Sequence, residues 1–221
     1  MKIDFHVHTI YSKDSLTKLE DIARTSKEKG IIPAITDHNS IEANKRMKRI
    51  TKEFIPGEEI LTAQGDVIGL YIEEEVPKGI DGYEAVDRIR EQGGVVYLPH
   101  MFDRTRKGAP ELGKRADVIE VLNGRAFERY NKLAYEFAEK NNKLMAAGSD
   151  AHFLFEFGSV YTEVEEFDIQ NPKKLLKALR KSKVFGYGNP FVRPATSVVK
   201  TLKKIFKPGL PQNPASPCVF L

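Results

Sequence analysis

The fold is decided at residues 2–8, KIDFHVH. From Ile3 to His8 apolar and polar side chains alternate, which is the period of a β-strand. His6 and His8 are therefore expected on one face, with Ile3, Phe5 and Val7 on the other. The residues that follow repeat a theme. Positions 16–29 have helical spacing and stop at Gly30, 31–36 is a short apolar run, and 41–54 reads as a basic-faced helix. Strands are expected at 60–63 and 67–72 as a close pair, then at 95–98, 118–122, 144–147 and 184–187. Helices are expected at 83–92, 125–141 and 172–181, the last opening on a proline near its first turn. Strand and helix in alternation along one chain argue for an α/β fold with a parallel sheet wrapped by helices. A barrel fits this pattern, although 221 residues are few for eight full units. A doubly wound open sheet is the alternative. Neither GxGxxG nor GxxxxGKS/T occurs, so the nucleotide-binding versions of that sheet have no support.

Composition narrows the classes. Hydrophobic residues make up 41% and charged residues 30%, which is globular rather than disordered. The longest apolar run is about six residues (67–72, counting Gly69), far from the roughly 20 that a membrane helix needs. The opening residues lack an apolar signal core, so a cytoplasmic protein is expected. The single cysteine, Cys218, cannot form an internal disulfide or a zinc ribbon. The net charge of +4 conceals an asymmetry. Residues 171–221 hold eleven Lys or Arg and no acid, whereas residues 1–170 hold 24 basic and 31 acidic side chains, a net of −7. A basic tail on an acidic body can meet phosphate, RNA, anionic lipid or the body itself.

All five histidines, His6, His8, His38, His100 and His152, lie in or just after an apolar run. In a barrel the C-terminal ends of the strands converge on one mouth, where five imidazoles would meet Asp37, Asp150 and other carboxylates. General acid–base catalysis needs one or two histidines; five with carboxylates is the donor set of a multinuclear metal site.

The segments HVHTIYSKDS, AITDHNS, FIPGEEI, YLPH, IEVLNGR and GSDAH stand in the order of the motifs of the PHP (polymerase and histidinol phosphatase) family, which residues 1–190 resemble. The resemblance implies a distorted seven-stranded TIM-like barrel with two or three divalent metals at its mouth and hydrolysis of phosphate esters. It implies that His6, His8 and Asp150 hold one metal and that Glu59 bridges to a second, whose other ligands are His100 and Glu120. A third is implied at Asp14, His38 and His152. Glu58 is the weaker neighbour of Glu59, and Asp37 is expected to orient a ligand imidazole or touch substrate. Within this set Glu59, Asp150 and His152 are the expected catalytic residues.

The implied site is physically coherent. Four carboxylates (Asp14, Glu59, Glu120, Asp150) offset most of the about six positive charges of three divalent ions, which leaves attraction for a phosphate dianion. A water bridging two ions would have its pKa lowered toward ~7 and become an in-line nucleophile. Mixed N and O donors suit Zn, Mn or Fe better than Mg. Arg104, Arg106 and Arg125, with Asn123, are candidate phosphate contacts, Arg125 being the best placed because it shares a loop with Glu120. Tyr11 and Phe102 are candidate pocket walls.

Two segments are therefore expected, a metallo-phosphoesterase domain at 1–190 and a basic helix with a proline-rich, disordered tail at 191–221. Val198, Leu202 and Ile205 with Lys200, Lys203, Lys204 and Lys207 form an amphipathic pattern whose apolar face is expected to pack on the barrel. The final CVFL fits the C-a-a-X pattern, although a chance match is the simpler reading. The favoured function is hydrolysis of a small phosphomonoester. A nuclease that binds nucleic acid through its basic tail, or a non-catalytic module, is the alternative.

Overall fold

The computed structural model describes residues 1–205; the proline-rich stretch, Lys207 and the Cys218 motif lie outside the described residues. The described residues form nine strands and six α-helices. The strands are β1 (Lys2–Val7), β2 (Ile31–Ile35), β3 (Ile55–Leu61), β4 (Asp66–Leu70), β5 (Val95–Leu98), β6 (Val118–Asn123), β7 (Leu144–Gly148), β8 (Val160–Glu163) and β9 (Lys183–Gly186). The helices are α1 (Leu19–Lys29), α2 (Glu42–Ile50), α3 (Gly82–Glu91), α4 (Glu128–Lys140), α5 (Pro172–Ala178) and α6 (Arg193–Ile205).

One sheet runs β7-β6-β5-β4-β3-β2-β1-β8-β9. It curls until the chain beyond β7 meets the end of β1, where Val7 bridges Ala151 in parallel sense and His8 N donates to Ala151 O at 2.9 Å. At the opposite end β8 wedges against β1, and Ala147 N donates to Thr162 Oγ1 at 2.8 Å. The result is a TIM-like barrel of seven strands, closed at the mouth and opened below by β8.

The sheet is not wholly parallel, which corrects the sequence expectation. β4 runs antiparallel to both β3 and β5, and β8 runs antiparallel to β1 and β9. The reversal of β4 follows from its connection. Residues 62–65 are a tight hairpin in which Thr62 N donates to Gly65 O at 2.9 Å, too short for a crossover. Strand β8, VYTE, escapes sequence reading because it lacks the continuous apolar run that marks the equally short β5, VVYL. Helix α2 stops at Ile50, short of the expected Phe54. Phe54 is buried and leads into β3, which starts five residues before the expected Ile60.

Two bulges set which side chains look inward. In β1 the four residues Asp4 to Val7 oppose the three from Pro33 to Ile35. The extra residue inverts the alternation after Phe5, so Ile3 and Phe5 pack in the barrel interior with Tyr97 while Val7 packs outside with Leu19, Ile22 and Met47. Phe5 stacks on Tyr97 at 5.8 Å between ring centroids, below the level of His6. β6 has the same device between Glu120 and Leu122, which brings Glu120 and Asn123 to one face, 2.8 Å apart.

In β3, which has no such irregularity, Glu59 looks inward and Glu58 looks outward. Glu58 is buried, accepts from Val76 N at 3.0 Å, and leaves its other oxygen unpartnered. Burial pushes its carboxyl up to about 7, only partly offset by the Val76 hydrogen bond. The stability gained by keeping it neutral is complete below the unfolded value of 4.5 and is lost as pH rises through about 7. Glu58→Gln should therefore be more stable than wild type by about 2–3 kcal/mol more at pH 8 than at pH 5, read from urea midpoints. An equal difference at both pH values would show that Glu58 is not buried in this way.

Candidate metal centre

Strand ends supply the site. β1 delivers His6 and His8, the turn after β2 delivers Asp37 and His38, β3 delivers Glu59, and the residues after β5 and β7 deliver His100, Asp150 and His152. All nine residues expected as metal ligands border the mouth. Their centre is the Glu59 carboxylate. Its Oε2 lies 2.9 Å from His38 Nδ1, 3.2 Å from His8 Nε2 and 3.3 Å from His6 Nε2, while Oε1 lies 3.1 Å from His100 Nε2. His6 Nε2 and His8 Nε2 stand 3.0 Å apart, a separation that demands a proton or a cation between two lone pairs. Asp150 Oδ1 is 3.5 Å from His8 Nε2 and 3.4 Å from His152 Nδ1. Asp14 bridges the third group, 3.6 Å from His38 Nε2 and 3.5 Å from His152 Nε2.

The backbone is held out of its preferred regions at two of these residues. His100 has φ +29° and Asp150 φ +56°, conformations that L-residues rarely adopt and that only a packed surround maintains.

Electrostatics express the crowding. Burial opposes the charge on His8, but Asp150 and Glu59 outweigh it and push its imidazole up to about 9. His152 falls to about 3, first through burial and then through the neighbouring His8. Burial also works against Glu59 and Asp150, yet His38 and His6 hold Glu59 well below the carboxylate range, and Arg106 and His6 do the same for Asp150.

The donor set fits divalent metal. Buried oxygens Glu59 Oε2, Asp150 Oδ1 and Asp14 Oδ1 have no hydrogen-bond donor. Ligand atoms within 4.8 Å of one another form four groups: His8–His38–His152, His6–His100–Asp150, His6–His8–Glu59 and Glu59–Asp66–His100. Imidazole nitrogen with carboxylate oxygen is transition-metal chemistry.

Glu120, expected as a ligand of the second metal, belongs to none of these groups. Its Oε1 meets Tyr97 Oη at 3.0 Å and His6 Nδ1 at 3.1 Å, while Oε2 accepts from His100 N and Asn123 Nδ2, both at 2.8 Å. It holds two ligands in place from behind, as carboxylates do behind metal-binding histidines. Asp66 stands near His100 instead. No sequence signal marked it, because only the reversal of β4 carries the first residue of that strand to the mouth. Burial and the nearby Glu59 push its carboxyl up to about 8.

The supporting residues form chains. Asp37 accepts from Thr9 N and Oγ1 and from Ser12 Oγ, which lies 3.1 Å from His8 Nδ1. Asp4 accepts from Ser149 N and Oγ and from Gly158 N, fixing the turn that presents Asp150. The arginines separate. Arg106 reaches Asp150 Oδ2 and, at 2.9 Å, Asn123 Oδ1. Arg125 is buried against Glu156 at 2.8 Å, and Glu156 also accepts from His152 N. Arg104 points away, exposed and paired with Glu111. Tyr11 and Phe102 are only partly buried, and Phe102 packs edge-on against Phe137 rather than facing the centre.

Comparison with known proteins agrees with this architecture. The PHP-associated family model matches residues 128–184. The uncharacterized protein MJ0417 of Methanocaldococcus jannaschii is 43% identical over 187 residues, 79% of this chain and 75% of its own. A two-domain Bacteroides vulgatus protein containing a predicted PHP-like metal-dependent phosphoesterase superposes with TM-score 0.70 at 16% identity, covering 90% of this chain and 69% of that one. The lesion-specific endonuclease PfuEndoQ of Pyrococcus furiosus superposes with TM-score 0.60 at 18% identity, covering 86% and 59%. With its barrel, its ordered motifs and these relatives, the chain belongs to the PHP family.

Gly148 gives the centre its tightest constraint. A Cβ there would lie 2.4 Å from His6 Cβ and 2.5 Å from Glu120 Oε1. Gly148→Ala should keep its circular-dichroism spectrum but lose much of its divalent-metal content after reconstitution with Mn or Zn; wild-type metal content in that variant would contradict the geometry.

Proposed function

We propose that this protein is a divalent-metal-dependent phosphoesterase whose substrate is a small phosphomonoester. The observation that carries the reading is the Glu59 carboxylate with four imidazoles from three separate segments around it, next to an arginine engaged with Asp150. His6, His8, Asp150 and Glu59 would hold one ion; Glu59, His100 and Asp66 a second; His38, His152 and Asp14 a third. When bound, ions of the Zn, Mn or Fe type supply Lewis acidity that polarises a phosphoryl oxygen and acidifies water. The chain does the rest. Glu59 and Asp150 supply the negative charge that keeps neighbouring cations close. Ser12, held by Asp37, fixes the His8 ring, and Glu120 fixes the His6 ring. Arg106 and Asn123, both in contact with Asp150, turn toward the phosphate. Arg125 steadies the 150–156 turn through Glu156 and lies too deep to be the first phosphate contact.

A monoester suits the acidic body, net −7 over residues 1–170, better than a polyanion does, because nucleic-acid affinity comes largely from neutralising phosphates. The endonuclease neighbour keeps a diester reading in the test. The protein, reconstituted separately with Mn, Zn and Fe, should carry about two to three ions per chain. It should hydrolyse phosphomonoesters in preference to diesters and short oligonucleotides assayed beside them. Glu59→Gln should lower turnover by at least about 10²-fold, a barrier change of ~2.7 kcal/mol. Oligonucleotide cleavage without monoesterase activity would replace this reading with the nuclease.

A further inference from the structure

Helix α6 lies where the sequence left open, and with a different face inward. Its apolar residues Val198, Leu202 and Ile205 are exposed, at 58%, 45% and 68%, which corrects the expectation that they pack on the barrel. Arg193, Val199, Lys200 and Lys203 turn toward the body instead.

The two ends of this inward face are tied to opposite rims of the mouth. Arg193 donates to Asp103 Oδ2 at 3.2 Å and Thr105 Oγ1 at 2.8 Å, in the turn that carries Arg106 to Asp150. Lys203 Nζ donates to Ile10 O at 2.8 Å and Ser12 O at 2.7 Å, in the loop that supports His8 and His38. Ten residues of helix separate these anchors, a span of about 15 Å. The lead into α6 is equally fixed. Gly188 lies so close to the site loop that a Cβ would be 2.5 Å from Gly124 O, and Asn189 N donates to that same oxygen. Phe191 meets Phe127 edge-on at 6.2 Å. Burial lowers the Lys203 ammonium from its ordinary value while Asp14 and Asp37 act in the opposite sense, which places Lys203 in the field of the site's own carboxylates.

A cationic helix beside a metal mouth has two opposite uses. As a platform it would offer its charges outward to a polyanion. As a roof it would spend them on the rim. Here Arg193 and Lys203 are spent on Asp103, Thr105, Ile10 and Ser12, and a strand of nucleotides approaching from outside meets Val198, Leu202 and Ile205, with the exposed Lys204 beside them. We propose that α6 is a roof strapped across the mouth that sets substrate size, admitting a small phosphate ester and shutting out a polynucleotide. The proposal rests on the phosphoesterase reading for what is admitted, and on the rim contacts for what is excluded.

The test uses the full, Mn-loaded protein and two ways of loosening α6. Arg193→Met with Lys203→Met removes both straps and two positive charges; Val199→Gly removes the buried apolar contact and weakens the helix with no change in charge. The probe is a fluorescent, hydrolysis-resistant phosphorothioate oligonucleotide, followed by anisotropy, with p-nitrophenyl phosphate turnover measured in parallel. A roof predicts that both variants bind the oligonucleotide at least about fivefold more tightly than wild type. The straps variant would do so despite losing positive charge, whereas kcat/KM on p-nitrophenyl phosphate stays within about threefold. Binding that weakens or does not change in either variant overturns the roof. Tighter binding without turnover of any phosphate ester removes the phosphoesterase reading and leaves the roof standing.

Discussion

Everything at the mouth depends on one buried carboxylate. Glu59 is 1% exposed and has imidazole nitrogens of His6, His8, His38 and His100 within 3.3 Å. A charge so far from water persists only if it is matched, and uncompensated burial costs several kcal/mol. Protons match it imperfectly, because they cannot sit on every ring at once. His8 is pushed up by Asp150 and Glu59, while its neighbour His152 is pushed down, first by burial and then by repulsion from His8. Divalent cations match it better, because neutral rings and ionised carboxylates are then all favourable donors. The fold can be read as a device for bringing five histidines and their carboxylates to this one point.

The backbone departs from regularity where that delivery requires it. The bulge in β1 lets Phe5 seal the interior beneath His6, although both would face opposite ways on a regular strand. The bulge in β6 aligns Asn123 with Glu120, so the carboxylate that supports His6 and the amide that meets Arg106 share one face. Left-handed φ at His100 and Asp150 turns each side chain back over the mouth after its strand has ended. The reversed β4 adds Asp66. These irregularities fall on residues of the mouth, although Tyr71 and Asn142 also take left-handed φ at the lower end of the barrel.

This explains what the sequence could and could not disclose. Histidines placed at the ends of apolar runs were legible, because strand ends converge on one mouth whatever the details of pairing. Asp4 was also within reach, two residues before His6 on a strand, but its use in holding Ser149 depends on a contact 145 residues away. Glu58 and Glu59 were separated by the motif resemblance, because strand alternation alone does not say which of two adjacent residues faces inward. Phe5 and Val7 were assigned to one face because a bulge leaves no local signature. The orientation of α6 was misread for a different reason. Amphipathic pattern predicts which face is apolar, while the face that docks was decided by Asp103 and the carbonyls of Ile10 and Ser12, which the pattern does not contain.

The turn at residues 103–106 connects these layers. Asp103 caps it, accepting from Thr105 N and Oγ1 with one oxygen and from Arg193 with the other. Arg106, at its end, grips Asp150 and Asn123. The same short turn is thus bonded on its outer side to the helix over the mouth and on its inner side to the metal centre. Thr105 N and Oγ1 hold Asp103 Oδ1 independently of Arg193, so the base from which Arg106 reaches inward is kept when α6 is loosened. A cation on Asp150 would compete with Arg106 for the same carboxylate. The rim contact of α6 and the charge on Asp150 thus meet in one short turn, at one aspartate and one arginine three residues apart.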